Sequence, residues 1–256
     1  MITMFRTGAL VCILGLTSLT TAVHAASGAP EPAKQVWSFA GPLGTYDRAA
    51  LQRGYQIYKE SCSACHSMNQ LYFRNLAALG FSEAEIKAIA AEYTVMDGPN
   101  DQGEMFERPS RPSDRFKAPF ANEKAAAAAN NGATPPDLSL IIKARHGGPD
   151  YVFSLMTSYT TPPTTMQIPS GMNYNEMFPG HMIAMPAPLS DGQITFADNM
   201  PSTVPQMARD VSTFLSWAAE PEMEARKKLG LKVMAYLLLL AGVLIALKRK
   251  VWSKVH

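Results

Sequence analysis

Apolar residues crowd into one unbroken run near each end of the chain, Ala9–Leu19 and Leu229–Leu247, and between the two they recur in short stripes at helical spacing. Leu51, Tyr55 and Tyr58 follow Asp47 at intervals of three and four, which predicts a capped helix from Asp47 through about Ser61. Ser82-Glu83-Ala84-Glu85 is a capping box, with Phe81, Ile86 and Ile89 as the apolar side of a helix to about Glu92. Asn122–Asn130 is alanine-rich and stops at Asn131-Gly132. Asp137 is placed to cap a helix through Arg145 that ends at Gly147-Gly148, and Asp150 to cap another over Tyr151–Tyr159. Pro205 opens a last helix with Met207, Val211, Phe214, Leu215 and Ala218 on its inner face, expected to pack on the Asp47–Ser61 helix. Two stretches show no period: Asp97–Pro119, expected as a long polar surface loop, and 160–203, rich in Pro, Gly, Met and Asn. So long an irregular segment inside a compact domain points to a function or a ligand to pack against. The pattern predicts a mainly α chain with long irregular loops.

The two terminal runs differ in kind. Arg6, the apolar run and Val23-His24-Ala25 have the three parts of a secretory signal peptide over residues 1–25, with cleavage expected before Ala26. Leu229–Leu247 is long enough for one transmembrane helix. Its single charge, Lys232, sits near enough to one end to snorkel, and Trp252 is placed as an interfacial anchor. The expected organisation is an exported domain at 26–222, a linker at 223–228, the span at 229–247 and a basic cytoplasmic tail at 248–256. The export signal sets the orientation, because cations flank the span on both sides: Arg226, Lys227 and Lys228 before it, Lys248, Arg249, Lys250 and Lys254 after it. In a bacterium this puts the domain in the periplasm and the anchor in the inner membrane.

Charge separates the same parts. Residues 26–222 hold 14 Lys and Arg against 20 Asp and Glu; residues 223–256 hold 8 against 1. An acidic head argues against nucleic acid and suits a basic partner met by diffusion.

The chemistry lies in Cys62-Ser63-Ala64-Cys65-His66. Two cysteines two residues apart and a histidine directly after them form a c-type haem attachment site: each thiol adds to one vinyl group, and the imidazole binds the iron from one face. A structural zinc site needs four ligands, and no second Cys/His cluster is present. A thioredoxin-like site belongs in a βαβ context, which the neighbouring sequence lacks. The third cysteine, Cys12, falls in the expected signal peptide. For the iron's other face the residues leave Met185, Met182, His146 and His181 as candidates, the two methionines within Pro179-Gly180-His181-Met182-Ile183-Ala184-Met185-Pro186-Ala187-Pro188.

Longer motifs add a resemblance. Asp97-Gly98-Pro99-Asn100, Gly103-Glu104-Met105-Phe106, Ala129-Asn130-Asn131-Gly132-Ala133, Pro135-Pro136-Asp137-Leu138-Ser139, Ala144-Arg145-His146-Gly147-Gly148, Asp150-Tyr151-Val152-Phe153-Ser154-Leu155, Trp217-Ala218-Ala219-Glu220-Pro221-Glu222 and Leu229-Gly230-Leu231-Lys232 together resemble the cytochrome c1 family, the haem-bearing subunits of ubiquinol–cytochrome c oxidoreductase. The likeness covers nearly all of residues 35–252. It implies a cytochrome c-like haem domain with one covalent haem c and a single membrane pass. The family's ligand methionine, in an Ile-x-Met-x-x-Pro segment, matches Met185 in Ile183-Ala184-Met185-Pro186-Ala187-Pro188, although Pro186 stands where the family has Ala. The family's propionate-binding arginine matches Arg145, and the Pro135-Pro136 segment, with Pro136 as the expected contact, would lie beside His66, where a backbone carbonyl can hold its Nδ1–H. The implied partners are cytochrome b, the Rieske iron–sulfur protein and a soluble cytochrome c, with catalysis belonging to the assembled complex. The rival readings are a membrane-tethered haem peroxidase and a free-standing anchored cytochrome. Met185 lies 119 positions after His66, a long separation for a small shuttle.

Overall fold

The structure is a computed structural model that describes residues 30–253; the expected signal peptide lies outside them. Helix α1, Arg48–Ile57, begins where Asp47 Oδ1 accepts the backbone N–H of Ala49 at 2.9 Å and Ala50 at 3.3 Å. Its predicted stripe of Leu51, Tyr55 and Tyr58 is buried. The chain runs directly from α1 into a π-helical turn, Tyr58–Cys62, and the haem motif follows. After a 3₁₀ segment over Phe73–Leu79 comes α2, Glu83–Ala91, where Ser82 and Glu85 form the expected reciprocal capping box. The short α3, Glu123–Ala129, is capped by Asn122.

Helix α6, Val204–Ala219, lies across α1, and the two form the centre of the core with Leu51, Ile57, Met207, Phe214 and Trp217. The crossing is close enough to need glycine. A Cβ on Gly54 would stand 2.3 Å from the Asp210 carbonyl oxygen and 2.6 Å from Phe214 Cβ, so any side chain there forces the helices apart. The same contact buries Arg53. Its Nε and Nη2 donate to the two Asp210 carboxylate oxygens at 2.6 and 3.0 Å, and Nη1 donates to Asp198 at 2.5 Å.

Three expectations change. The Asp97–Pro119 loop contains one strand of a hairpin and the end of the other: β1, Thr94–Asp97, pairs antiparallel with β2, Phe106–Pro109, with Asp97 opposite Phe106. Both strands are largely exposed, so no apolar alternation marks them. Arg108 holds the hairpin by bonding to Asp97 and, at 2.6 and 3.1 Å, to both oxygens of Asp114. Second, Asp137 caps no helix; α4 is only Ile141–Ala144 and is entered from Leu140. Third, α5, Pro149–Thr157, starts at Gly148, and Asp150 sits in its first turn facing Trp37.

The 160–203 segment is irregular as expected, apart from a two-residue ladder between β3, Asn173–Tyr174, and β4, Met182–Ile183, and a short 3₁₀ turn, Pro179–His181.

Helix α7, Met223–Trp252, is continuous, so residues 223–228 are helical. Its base is fastened to the domain. Glu224 accepts from the Tyr46 N–H and from Arg48, each at 2.7 Å. Lys227 Nζ donates to the carbonyls of Phe39 at 2.6 Å and Gly44 at 3.1 Å. Beyond that base the helix is apolar and exposed, with a window of mean hydropathy 2.3. At 30 residues it is about 45 Å long, enough by length and composition to cross a membrane.

Candidate functional site

The π-helical turn delivers the motif. Ser63 N–H reaches back five residues to the Tyr58 carbonyl at 2.8 Å, and the N–H groups of Cys65 and His66 both turn onto the Cys62 carbonyl at 3.1 and 2.9 Å. This wraps Cys62, Cys65 and His66 around one carbonyl. Such single π turns interrupt α-helices at functional sites. Tyr58 closes the loop from below: its buried phenol donates to the His66 carbonyl at 3.3 Å.

The two cysteines are not joined to each other. Burial, with Cys65 beside it, pushes the Cys62 thiol up to about 12.

His66 has one ring nitrogen committed. Nδ1 lies 2.8 Å from the Pro136 carbonyl, and since a carbonyl only accepts, Nδ1 carries the proton and Nε2 keeps its lone pair. Burial lowers the imidazole's affinity for a second proton, against the pull of the Pro136 carbonyl and the Asp137 charge. The ring is thus neutral and oriented, the state in which imidazole ligates a metal.

Asp137 holds the Pro136 carbonyl in place. One of its oxygens accepts from Ser67 Oγ and from the Asn69 N–H, both at 2.8 Å; the other accepts the Ser139 N–H at 2.8 Å. Leu138 N–H donates to the Ser67 carbonyl at 2.9 Å and Gln70 N–H to Ser139 Oγ at 3.0 Å. Residues 136–139 are thereby zipped along residues 66–70. Burial alone would raise the Asp137 carboxyl, but the hydrogen bonds from Asn69, Ser139 and Ser67 outweigh it, so the group sits below the usual carboxylate range. The sequence pointed to Pro136 but gave no sign of this clamp, whose donors lie up to 70 positions away.

Met185 and Arg145 stand at opposite ends of α5. Arg145 ends α4 and precedes the Gly147-Gly148 turn into α5; it is exposed and donates to the Ala144 carbonyl at 3.0 Å, with no carboxylate partner among the described residues. Met185 is half-buried, and its carbonyl accepts from the Tyr159 hydroxyl, two residues past α5, at 3.1 Å. Fully buried Asn175 links the segment before Met185 to α5: its backbone N–H donates to the His181 carbonyl at 3.0 Å, its side-chain amide donates to the Leu155 carbonyl at 2.8 Å, and its side-chain oxygen accepts the Met177 and Phe178 N–H groups. Tyr159 and Asn175 carried no signal in the sequence. Among the described residues no hydrogen bond links Met185 or Arg145 to the motif.

The other candidates are placed differently. Met182 lies in β4, half-buried beside Ile183. His181 turns Nδ1 onto the Glu176 carbonyl at 2.9 Å. The side chain of His146 is 85% exposed and faces Glu31 at 3.4 Å. Two unbridged cysteines, one half-buried and one exposed, a histidine with an oriented Nε2 directly after them, and a guanidinium with no carboxylate partner among the described residues together fit covalent haem.

Comparison with known proteins agrees with the geometry. A model of the Cytochrome C1 family matches residues 37–255. "Cytochrome c1" of Rhodospirillum rubrum is 47% identical over 263 residues, covering 96% of this chain and 97% of that protein. "Cytochrome c1-2, heme protein, mitochondrial" of Solanum tuberosum is 49% identical over 242 residues, 94% of this chain and 92% of that protein. "Cytochrome b/c1" of Bradyrhizobium diazoefficiens is 49% identical over 255 residues; the match takes in 91% of this chain but spans only 37% of that protein's length.

Proposed function

The chain belongs to the cytochrome c1 family, the haem subunits of the cytochrome bc1 complex, and from that premise we propose that it takes one electron from the Rieske iron–sulfur protein and passes it to a soluble cytochrome c. The observation that carries this reading is the 2.8 Å contact from His66 Nδ1 to the Pro136 carbonyl, one residue beyond the second cysteine of the motif. A haem c bound there supplies a one-electron iron couple.

This chain's residues do the rest. Cys62 and Cys65 would hold a haem c through thioether bonds. His66 would offer Nε2 to the iron, its tautomer set by Pro136. Met185 would offer its thioether as the other protein ligand, on a loop tied at its own carbonyl by Tyr159 and at the His181 carbonyl by the Asn175 N–H. Such a ligand would raise the potential and leave no open position for oxygen or peroxide. Arg145, which has no carboxylate partner among the described residues, would meet a propionate. This role needs no residue of the chain to act as acid, base or nucleophile; catalysis would belong to the assembled complex. Helix α7 packs beside cytochrome b in the bacterial inner membrane, with the haem domain in the periplasm and the C-terminus in the cytoplasm, a placement supported by the signal-like segment before Ala26.

Met185→Leu tests the ligand set. The native reduced protein is expected to show a low-spin Met/His spectrum and no carbon monoxide binding. The variant loses that spectrum, binds carbon monoxide and drops sharply in midpoint potential. Carbon monoxide binding by the native form, or an unchanged spectrum in Met185→Leu, removes the assignment.

A further inference from the structure

The segment Glu31–Trp37 runs as a strap over the turn that follows Arg145. Pro32 is buried against Gly147, where a Cβ would stand 2.5 Å from Pro32 Cγ. Glu31 faces His146 at 3.4 Å. The Trp37 indole N–H donates to Asp150 Oδ1 at 2.6 Å, and the Gln35 backbone N–H donates to the same oxygen at 3.1 Å. Arg209 of α6 backs the strap: it donates to the Val36 carbonyl at 3.1 Å and to Gln35 Oε1 at 2.7 Å, with its guanidinium 5.4 Å from the ring centres of both Trp37 and Phe153.

The turn itself is weakly determined. Helix α4 has four residues, too few to be stable alone, and Gly147 and Gly148 both have positive φ, at 82° and 52°. The Gly148 N–H to Arg145 carbonyl bond, 3.0 Å, closes it. The first turn of α5 adds the Asp150 N–H to Gly147 carbonyl bond at 3.0 Å and the Val152 N–H to Gly148 carbonyl bond at 3.3 Å, and the strap grips this same turn through Pro32 and through a charge-assisted tie to Asp150.

We propose that Trp37 and Pro32 are positioning residues for Arg145: the strap holds the Arg145–Gly148 turn so that the guanidinium is presented in one place to the carboxylate of a bound haem. The inference rests on the role given to Arg145 above. The family match begins at Trp37, so Glu31 and Pro32 lie ahead of it.

The test uses the full-length haem-loaded chain in detergent, with Trp37→Phe, Arg145→Gln and the double variant. Phenylalanine keeps an aromatic ring under Arg209 while removing the N–H to Asp150 and part of the indole's area. Two readouts are taken: tryptic cleavage after Arg145, followed by mass spectrometry, and the midpoint potential. Trp37→Phe is expected to speed cleavage after Arg145 by about tenfold or more, the factor that loss of a hydrogen bond to a charged group gives a local opening. It also lowers the potential, because a cation drawn away from the iron stabilises the reduced form less. In the Arg145→Gln background Trp37→Phe should produce no further fall. Unchanged cleavage, or an equal fall in potential with and without Arg145, overturns the strap's role. An unchanged potential in Arg145→Gln alone removes the propionate assignment and the proposal with it, while the cleavage result still reports whether the strap holds the turn.

Discussion

Arg53 is the one buried cation among the described residues, and it is held by two carboxylates at the point where α1 and α6 approach most closely. Removing one member of such a set leaves a charge without its partner in the core. Arg53→Ala is expected to destabilise the haem domain by roughly 3–5 kcal/mol, read from denaturant unfolding. A loss under about 1 kcal/mol, the range of an exposed pair, contradicts the structural role given to it. Single residues were legible in the sequence where their chemistry is local. Cys62, Cys65 and His66 declare themselves by spacing, and Asp47 and Ser82 by standing directly before an apolar stripe. Asp137 has that same local look, yet its carboxylate is taken by Ser67 and Asn69. Donors so distant compete with a cap without leaving a trace nearby in the sequence. The residues alone put Met185 ahead of Met182 and two histidines without choosing it; the resemblance singled it out.

At the scale of elements, helices whose caps and buried faces both lie within the helix were read closely, as α1, α2 and α6 show. The β1–β2 hairpin was not, because an ion-pair cluster holds it in place of an apolar face. The Arg108 guanidinium holds the carboxyls of Asp97 and Asp114 below the usual carboxylate range. Carboxyls whose folded values are depressed add stability above their unfolded values and lose it as pH falls through the folded ones. The hairpin should therefore keep its amide protection at neutral pH and lose it below about pH 4, the unfolded aspartate value. Hydrogen exchange at Val95 and Arg108, which face each other across the ladder, corrected for intrinsic rate, measures this. Protection that persists once both carboxyls are protonated means the strands stand without Arg108.

At the scale of the molecule, the sequence divided the chain into an acidic head and a basic, apolar tail. The structure adds that they are tied together, since Glu224 and Lys227 bond the base of α7 to residues 39–48. The head carries six more acidic than basic residues over 26–222. Electron transfer to a basic soluble cytochrome c should slow as salt rises from a few millimolar to about 0.15 M, where the Debye length falls to roughly 8 Å. A flat response removes electrostatic steering from the account. The central claim, that this chain is the c-type haem subunit of a quinol-oxidising complex, meets its most direct test in purification of the full-length protein from its own membranes with optical spectra of the product. The account predicts b-type haem bands in fixed proportion to the c-type band, and reduction of the c-type haem when ubiquinol is added. A product that shows c-type haem alone, unreduced by ubiquinol, contradicts it.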